Sequence, residues 1–204
     1  MRRPVTPMRI FVAGASGVLG SHLVPLLVAA GHSVAGMTRT PSKADSLRAV
    51  GAEPVVCDVF DADALTEAVV SFRPDTVLHE LTDLPDDRQL LPQAAEANSR
   101  IRREGTRNLL DAARAASAGR FLAQSVAWTL PGDGGAAVAD LESAVLAAGG
   151  VVLRYGQFYG DGTFYPHTPP APPRVHVADA ARRTVAALHA PSGVITIVDE
   201  TDPT

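Results

Sequence analysis

Apolar and polar positions along this chain fall into two alternating patterns. Short runs at 9–13, 33–37, 53–57, 76–79, 120–124, 151–154 and 194–198 hold several apolar, often β-branched residues in succession. Such runs predict strands buried on both faces. The segments 18–30, 42–49, 62–72, 88–117, 137–148 and 178–190 between them are longer and read as helices. This alternation predicts an α/β fold in which right-handed crossovers lay the strands into a doubly wound parallel sheet. Glycines at 31, 51, 119 and 149–150 follow helical segments, where helix C-termini favour them. Pro92 predicts a break in the longest segment. Along that segment Arg100, Arg103, Arg107 and Arg114 recur at helical spacing. They read first as a solvated face, with a dimer face or an anion site as the competing reading.

Two stretches depart from the pattern. Residues 130–135 form a turn-rich loop, and residues 166–173, with five prolines in eight positions, are expected to be extended rather than helix or central strand. The segment 155–177 therefore reads as a reduced substrate-side region.

Length and charge narrow the classes. The 204 residues suit one domain, taken as 8–204, with 1–7 as a flexible N-terminal extension and Met8 as a candidate start. The arginines before residues 10–13 imitate a signal peptide, but that apolar run is too short and flows directly into a glycine motif. The longest apolar region, 19–30, contains Ser21, His22 and Pro25 and is too short to span a membrane. A net charge of −4 argues against coating nucleic acid or an anionic membrane, which leaves a small molecule as the expected partner. Cys57 stands alone, so no internal disulfide framework exists; it reads as a small core residue of a cytoplasmic protein.

The strongest chemical signal is Gly14-Ala15-Ser16-Gly17-Val18-Leu19-Gly20, between a predicted strand and a predicted helix. Gly14 permits a tight turn, Gly17 lets a diphosphate approach the backbone, and Gly20 lets the helix pack closely. Backbone N–H groups and the helix dipole then favour the phosphates of a dinucleotide. The second strand ends in Met37-Thr38-Arg39-Thr40, with no acid to hold ribose hydroxyls. Arg39 suits a ribose 2′-phosphate, so NADP is favoured, with NAD left open and an ordinary exposed arginine as the alternative. Asp58, beside Val59 at the end of the third strand, reads equally as an acceptor for the adenine amino group or as a turn cap. No acid or His/Cys pair has metal-ligand spacing, no G-x-S-x-G elbow occurs, and the glycine loop lacks the Lys-Ser/Thr of a P-loop.

The chain resembles the extended and atypical short-chain dehydrogenase/reductases, in the NAD-dependent epimerase/dehydratase group. The pieces that carry the likeness are FVAGASGVLG at 11–20, CDVFDADAL at 57–65, VLHELTDL at 77–84, EGTRNLLDAA at 104–113, FLAQSVAW at 121–128, VVLRYGQFYGDGT at 151–163, VHVADAARRTVAAL at 175–188 and GVITIVDE at 193–200. The last pieces resemble an actinobacterial, nucleotide-sugar-epimerase-like branch. The resemblance implies a Rossmann fold with cofactor contacts at Gly14, Ser16, Gly17, Val18, Leu19, Arg39, Asp58 and Val59. It also implies that Leu81 and Thr82 lie beside the nicotinamide ribose, and that a homodimer forms through helices in 88–117 and 137–148.

The departures from the family pattern are as informative. The family's catalytic Tyr-x-x-x-Lys is absent: aligning Glu142 with the glutamate common in that helix puts Gly134 and Val138 at the Tyr and Lys positions. The usual Ser falls on Ser125 or Val126, and the substrate region is curtailed. Tyr155, Tyr159, Tyr165 and His167 cluster after the sixth strand. Tyr159 and His167 are the candidate replacement acids, with Ser125 as hydrogen-bond partner, against a reading in which the tyrosines only pack. His79 reads as a packing residue and Asp179 as the cap of the last helix. The resulting expectation is an NADP-binding enzyme acting on a small metabolite by reduction, epimerisation or dehydration. The rivals are a non-redox cyclase, isomerase or lyase on the same fold, and a non-catalytic NAD(P) sensor.

Overall fold

The alternating apolar runs assemble into one seven-stranded parallel sheet in the computed structural model, which describes residues 6–85 and 87–200. The strands are β1 (Arg9–Ala13), β2 (Ser33–Thr38), β3 (Glu53–Val56), β4 (Thr76–His79), β5 (Arg120–Val126), β6 (Val151–Tyr155) and β9 (Gly193–Ile197). Their order is β3-β2-β1-β4-β5-β6-β9, so the chain winds outward from β1 in one direction and from β4 in the other. Successive residues serve opposite layers. Leu78 packs with Ile10, Leu122 and Leu153 on one side, while Val77 packs with Phe11, Phe121 and Val152 on the other. This is why the strands read as continuous apolar runs.

Helices α1 (Val18–Ala29) and α7 (Val177–Ala187) cover the first face. Helices α3 (Ala62–Phe72), α5 (Thr106–Ala115) and α6 (Gly132–Ala147) cover the second. Helix α2 (Ala44–Ala49) lies between β2 and β3, and its Leu47 joins the first core. Side chains such as Leu23, Leu27, Leu65 and Leu109 are fully buried between the layers, each contributing roughly 1.5–3 kcal/mol.

The expected break near Pro92 is present, the start of one helix is corrected, and a small sheet adds to the expected strands. The segment 88–117 is not one helix: a 3-10 turn (Arg88–Leu90) precedes α4 (Ala95–Arg100), a π-helical turn (Ile101–Gly105) and α5. Pro92 has no N–H to give a helix interior, and regular helix begins three residues beyond it. Helix α6 starts at Gly132, inside the expected loop. There Pro131 supplies the extended N-cap, and a Cβ at Gly135 would lie 2.2 Å from the Leu130 carbonyl oxygen, so the helix tolerates its glycines for packing. Finally, β7 (Gln157–Tyr159) pairs in parallel with β8 (Arg174–His176) as a separate small sheet, and the proline-rich segment is the link between them. Of the expected N-terminal extension, residues 1–5 lie outside the described residues.

Candidate functional site

The carboxyl ends of β1, β2 and β4 converge around the glycine loop. Gly14 has φ +94°, and a Cβ there would sit 2.6 Å from the carbonyl oxygen of Glu80, which follows β4. At Gly20 a Cβ would lie 2.3 Å from the Gly14 carbonyl oxygen. The first and third glycines are therefore steric requirements of the strand–turn–helix junction. Between them Gly17 is exposed and forms the N-cap of α1. No side chain caps that terminus and no acid occupies its first turn. A helix start of this kind offers backbone N–H groups and a positive dipole end to an anion, so the loop fits a diphosphate.

Side chains fix the loop from its flank. Ser16 Oγ donates to Thr38 Oγ1 at the end of β2 (2.8 Å), and the Thr40 N–H donates to the same oxygen (3.2 Å). Lys43 Nζ approaches the Ser16 carbonyl (3.4 Å). Arg39 reaches across to Asp83, past the end of β4, with Nη2 2.6 Å from Oδ1. Val18 is exposed and Leu19 buried in the first turn of α1. Leu81 is half-buried and Thr82 exposed on the β4 side. The structure therefore gathers Gly14, Ser16, Gly17, Val18, Leu19, Arg39, Leu81 and Thr82 around the end of β1. Asp58 and Val59 sit farther along, at the end of β3. The Asp58 carboxylate accepts from the Phe60 N–H (3.0 Å) as a turn cap, and Val59 is buried against Gly105.

At the end of β4, behind the glycine loop, lie two buried titratable groups. His79 Nδ1 accepts from the Leu81 N–H (3.3 Å), which leaves Nε2 as the donor to Thr106 Oγ1 (3.0 Å). Complete burial lowers its pKa to about 4, so the ring is neutral and serves the packing role expected of it. Glu80 is 6% exposed, and its carboxyl oxygens lack a hydrogen-bond partner among the described residues. Burial raises its pKa to about 8. Sequence reasoning missed Glu80 as a site residue; the only available signal was an acid next to an apolar strand end.

Ser125 ends in a partly buried ionic cluster. Its Oγ donates to Glu142 Oε1 (2.6 Å), and Arg154 binds both oxygens of that carboxylate (2.8 and 2.5 Å). Burial works to raise the Glu142 carboxyl, but the hydrogen bonds from Arg154 and Ser125 and the Arg154 charge outweigh it, holding the group below the usual range. The cluster ties α6 to β5 and β6. Gly134 and Val138 are half-buried on the same helix, one turn apart.

The tyrosines separate. Tyr155 is core: its hydroxyl donates to Thr184 Oγ1 (2.6 Å), whose own proton goes to the Ala180 carbonyl. Tyr159 is half-buried, its hydroxyl donating to Asp199 (3.1 Å) and its ring edge-on to His176 at 5.2 Å. Burial and then Asp199 raise its pKa. Tyr165 lies under the Arg88 guanidinium, 5.1 Å from its ring centre, while His167 is exposed. The structure does not group Ser125, Tyr159 and His167 through any hydrogen bond. Asp179 is not the cap of α7: His176 Nδ1 accepts from the Ala178 N–H (3.3 Å), and Asp179 pairs with Arg182 inside the first turn.

Residues 10–146 match the NAD dependent epimerase/dehydratase family. The chain belongs to that family. It is 41% identical over 182 residues to a 3-diazoavenalumate denitrifying reductase from a Streptomyces species, a match covering 78% of this chain and 59% of the relative. It is 34% identical over 114 residues to a UDP-glucose 4-epimerase from Mycolicibacterium smegmatis, covering 53% of this chain and 36% of that enzyme. The chain thus spans about three-fifths or less of these curated relatives. The fold matches the Thermus thermophilus UDP-glucose 4-epimerase, whose crystal structure is a complex with NAD, at TM-score 0.77 and 21% identity over 94% of this chain and 78% of that one. The family is one of NAD(P)-dependent reductases and epimerases, and no helix of the described residues is long and apolar enough to cross a membrane.

Proposed function

We propose that this protein is an NADPH-dependent reductase that acts on a small aromatic acceptor whose reduction needs a hydride but no proton from the protein. The carrying observation is a contrast within one site. Gly14 and Gly20 are sterically required and Gly17 is exposed, which supports a dinucleotide site, whereas α6 presents Gly134 and Val138 where the family resemblance places its Tyr and Lys. The bound dinucleotide would supply hydride. The residues that would hold it are Gly14, Ser16, Gly17, Val18 and Leu19 at the diphosphate, Leu81 and Thr82 beside the nicotinamide ribose, Asp58 and Val59 near the adenine, and Arg39 at a 2′-phosphate.

An acceptor that suits such a site is an aryl diazonium. One C–H bond forms, one C–N bond breaks and dinitrogen leaves with the electron pair it needs; the arene keeps the hydride pair, and no proton is consumed. The name of the 41%-identical Streptomyces relative describes removal of nitrogen from a diazo compound by a reductase, which supports the same chemistry here. The Arg88–Tyr165 stack on the substrate side supports an aromatic acid, with a π face and a cation at the mouth. Epimerisation and dehydration both require a residue that moves a proton, and the nearest candidates, Tyr159 and Ser125, direct their hydroxyls to Asp199 and Glu142. The same proposal includes a homodimer through α5 and α6, over a groove of about 560 Å³ whose wall is largely charged, with Arg103, Arg107, Arg114 and Asp140 beside Leu110 and Ala144.

The test is a panel assay. The purified chain is mixed with NADPH and, separately, 2-diazoniophenol, an aromatic aldehyde and UDP-glucose. NADPH oxidation with one dinitrogen released per turnover, confined to the diazonium, is the expected result. Epimerisation of UDP-glucose, or oxidation of NADPH by the aldehyde alone, would overturn the reading. Binding of NADPH with no turnover on any acceptor would favour the sensor.

A further inference from the structure

We infer that Asp83 sets the choice between phosphorylated and unphosphorylated dinucleotides by competing with the ribose 2′-phosphate for Arg39. The inference rests on the dinucleotide reading above and extends it to a residue outside the glycine loop. Arg39 follows β2 and Asp83 lies beyond β4, and β1 with its glycine loop stands between those strands. The ion pair therefore bridges the carboxyl end of β1, across the crevice in which the loop offers its amides.

The two partners are held differently. Asp83 is three-quarters buried, and its backbone N–H donates to the side chain of Asn98 (3.2 Å), a buried residue on α4. Arg39 has an exposed side chain that meets Asp83 through Nη2 alone, while Asp58 acts on it from farther away. Asp83 is thus the fixed post and Arg39 the swinging arm. The ledge beneath Arg39 is itself rigid, because Thr38 is tied to both Ser16 and Thr40.

The Arg39 end of this pair is open to water, and ion pairs so exposed are weakly held, so exchange is easy. A phosphate dianion near the end of β2 offers Arg39 a two-point contact where Asp83 gives one, and Lys43 adds a second cation on that side. An unphosphorylated dinucleotide offers no such anion, and Arg39 then stays on Asp83. The carboxylate acts as a built-in competitor that lowers NADPH affinity and, by keeping Arg39 neutralised, keeps NADH admissible. Asp83 is a positioning residue that acts through Arg39.

The experiment measures Kd for NADPH and NADH by nicotinamide fluorescence, and for 2′,5′-ADP by calorimetry. It uses the wild type, Asp83→Asn, Arg39→Gln and the double variant. Asp83→Asn is expected to raise the NADPH-over-NADH preference by about fivefold, Arg39→Gln to collapse it, and the double variant to match Arg39→Gln. Asp83→Ser, which also retains the backbone bond to Asn98, should repeat the gain. A preference unmoved by Asp83→Asn, or moved equally without Arg39, would overturn the inference while leaving the dinucleotide reading intact. If the wild type prefers NADH and Asp83→Asn still shifts preference toward NADPH, the competition stands and the NADPH reading falls. Binding of neither dinucleotide overturns both.

Discussion

The two ends of the crevice are built on different principles. On the β1–β2 side the site is backbone: a glycine turn, an uncapped helix start and a sheet register that aligns three strand ends. On the β6–β7 side the small sheet has three residues per strand, and its Tyr159 and Arg174 both turn to Asp199, just past β9. A backbone site tolerates almost no added atoms, because its walls are carbonyls that cannot move aside. A side-chain site can be changed piecemeal, and its chemistry follows from which groups remain uncommitted. On the proposed reading, cofactor binding is fixed by the fold, and the reaction by what the substrate side leaves unused.

The sharpest way to break this contrast is to add one side chain to the backbone half. Gly20→Val puts a Cβ 2.3 Å from the Gly14 carbonyl oxygen, with two more methyl groups behind it. A loss of more than about 3 kcal/mol in denaturant unfolding is expected, together with loss of NADPH binding. A variant that folds and binds normally would show that the junction is not sterically fixed.

Next in size is the cluster that ties α6 to the sheet. Glu142→Ala strands Ser125 and Arg154, and full burial of a broken pair would cost about 3–5 kcal/mol. The Arg154 side chain is 43% exposed, so water recovers part of that and a loss of about 1–3 kcal/mol is expected by denaturant titration. NADPH affinity should change less than about threefold in the folded fraction, since the cluster lies on the substrate side.

The end of β4 gives a pH signature. The Glu80 carboxyl, raised to about 8 in the fold, binds a proton that the unfolded chain releases at its ordinary lower pKa. Stability is therefore expected to fall as pH rises through that window, reaching its floor above about 8. His79 works in the opposite sense: held neutral with a pKa of about 4, it costs stability as pH falls from its ordinary value through that point. The two slopes oppose each other in mild acid and leave Glu80 alone in charge above neutrality. Glu80→Gln should flatten that alkaline limb by about 1 kcal/mol, read from thermal melts between pH 7 and 9. An unchanged alkaline limb would mean that the carboxyl is ionised in the fold.

The sheet and the glycine loop were legible in the sequence because both are local. Strand burial is written in continuous apolar runs, and a strand–turn–helix junction in the spacing of Gly14, Gly17 and Gly20. The start of α6 was illegible because Gly132, Gly134 and Gly135 carry loop propensity, and packing against Leu130 overrides it. Strands β7 and β8 were illegible because three residues are too few for a period, and their partners lie across the proline-rich link. The Asp83 partner of Arg39 was hidden for a topological reason: it needs the order β2-β1-β4, which no local pattern records.

The smallest effect is expected on the substrate side. Tyr159→Phe and His167→Ala should each change diazonium reduction by less than about threefold, where loss of a general acid would cost about a hundredfold or more.

The central claim is hydride delivery without a protein acid, and isotope tracing addresses it directly. The chain is incubated with 2-diazoniophenol and NADPH carrying deuterium at the transferred position, in ordinary water, and the phenol product is weighed by mass spectrometry. The account predicts one deuterium on the ring carbon that lost nitrogen, with NADPH and dinitrogen in equal amounts. Product without the label, or no product while NADPH binds, would contradict it.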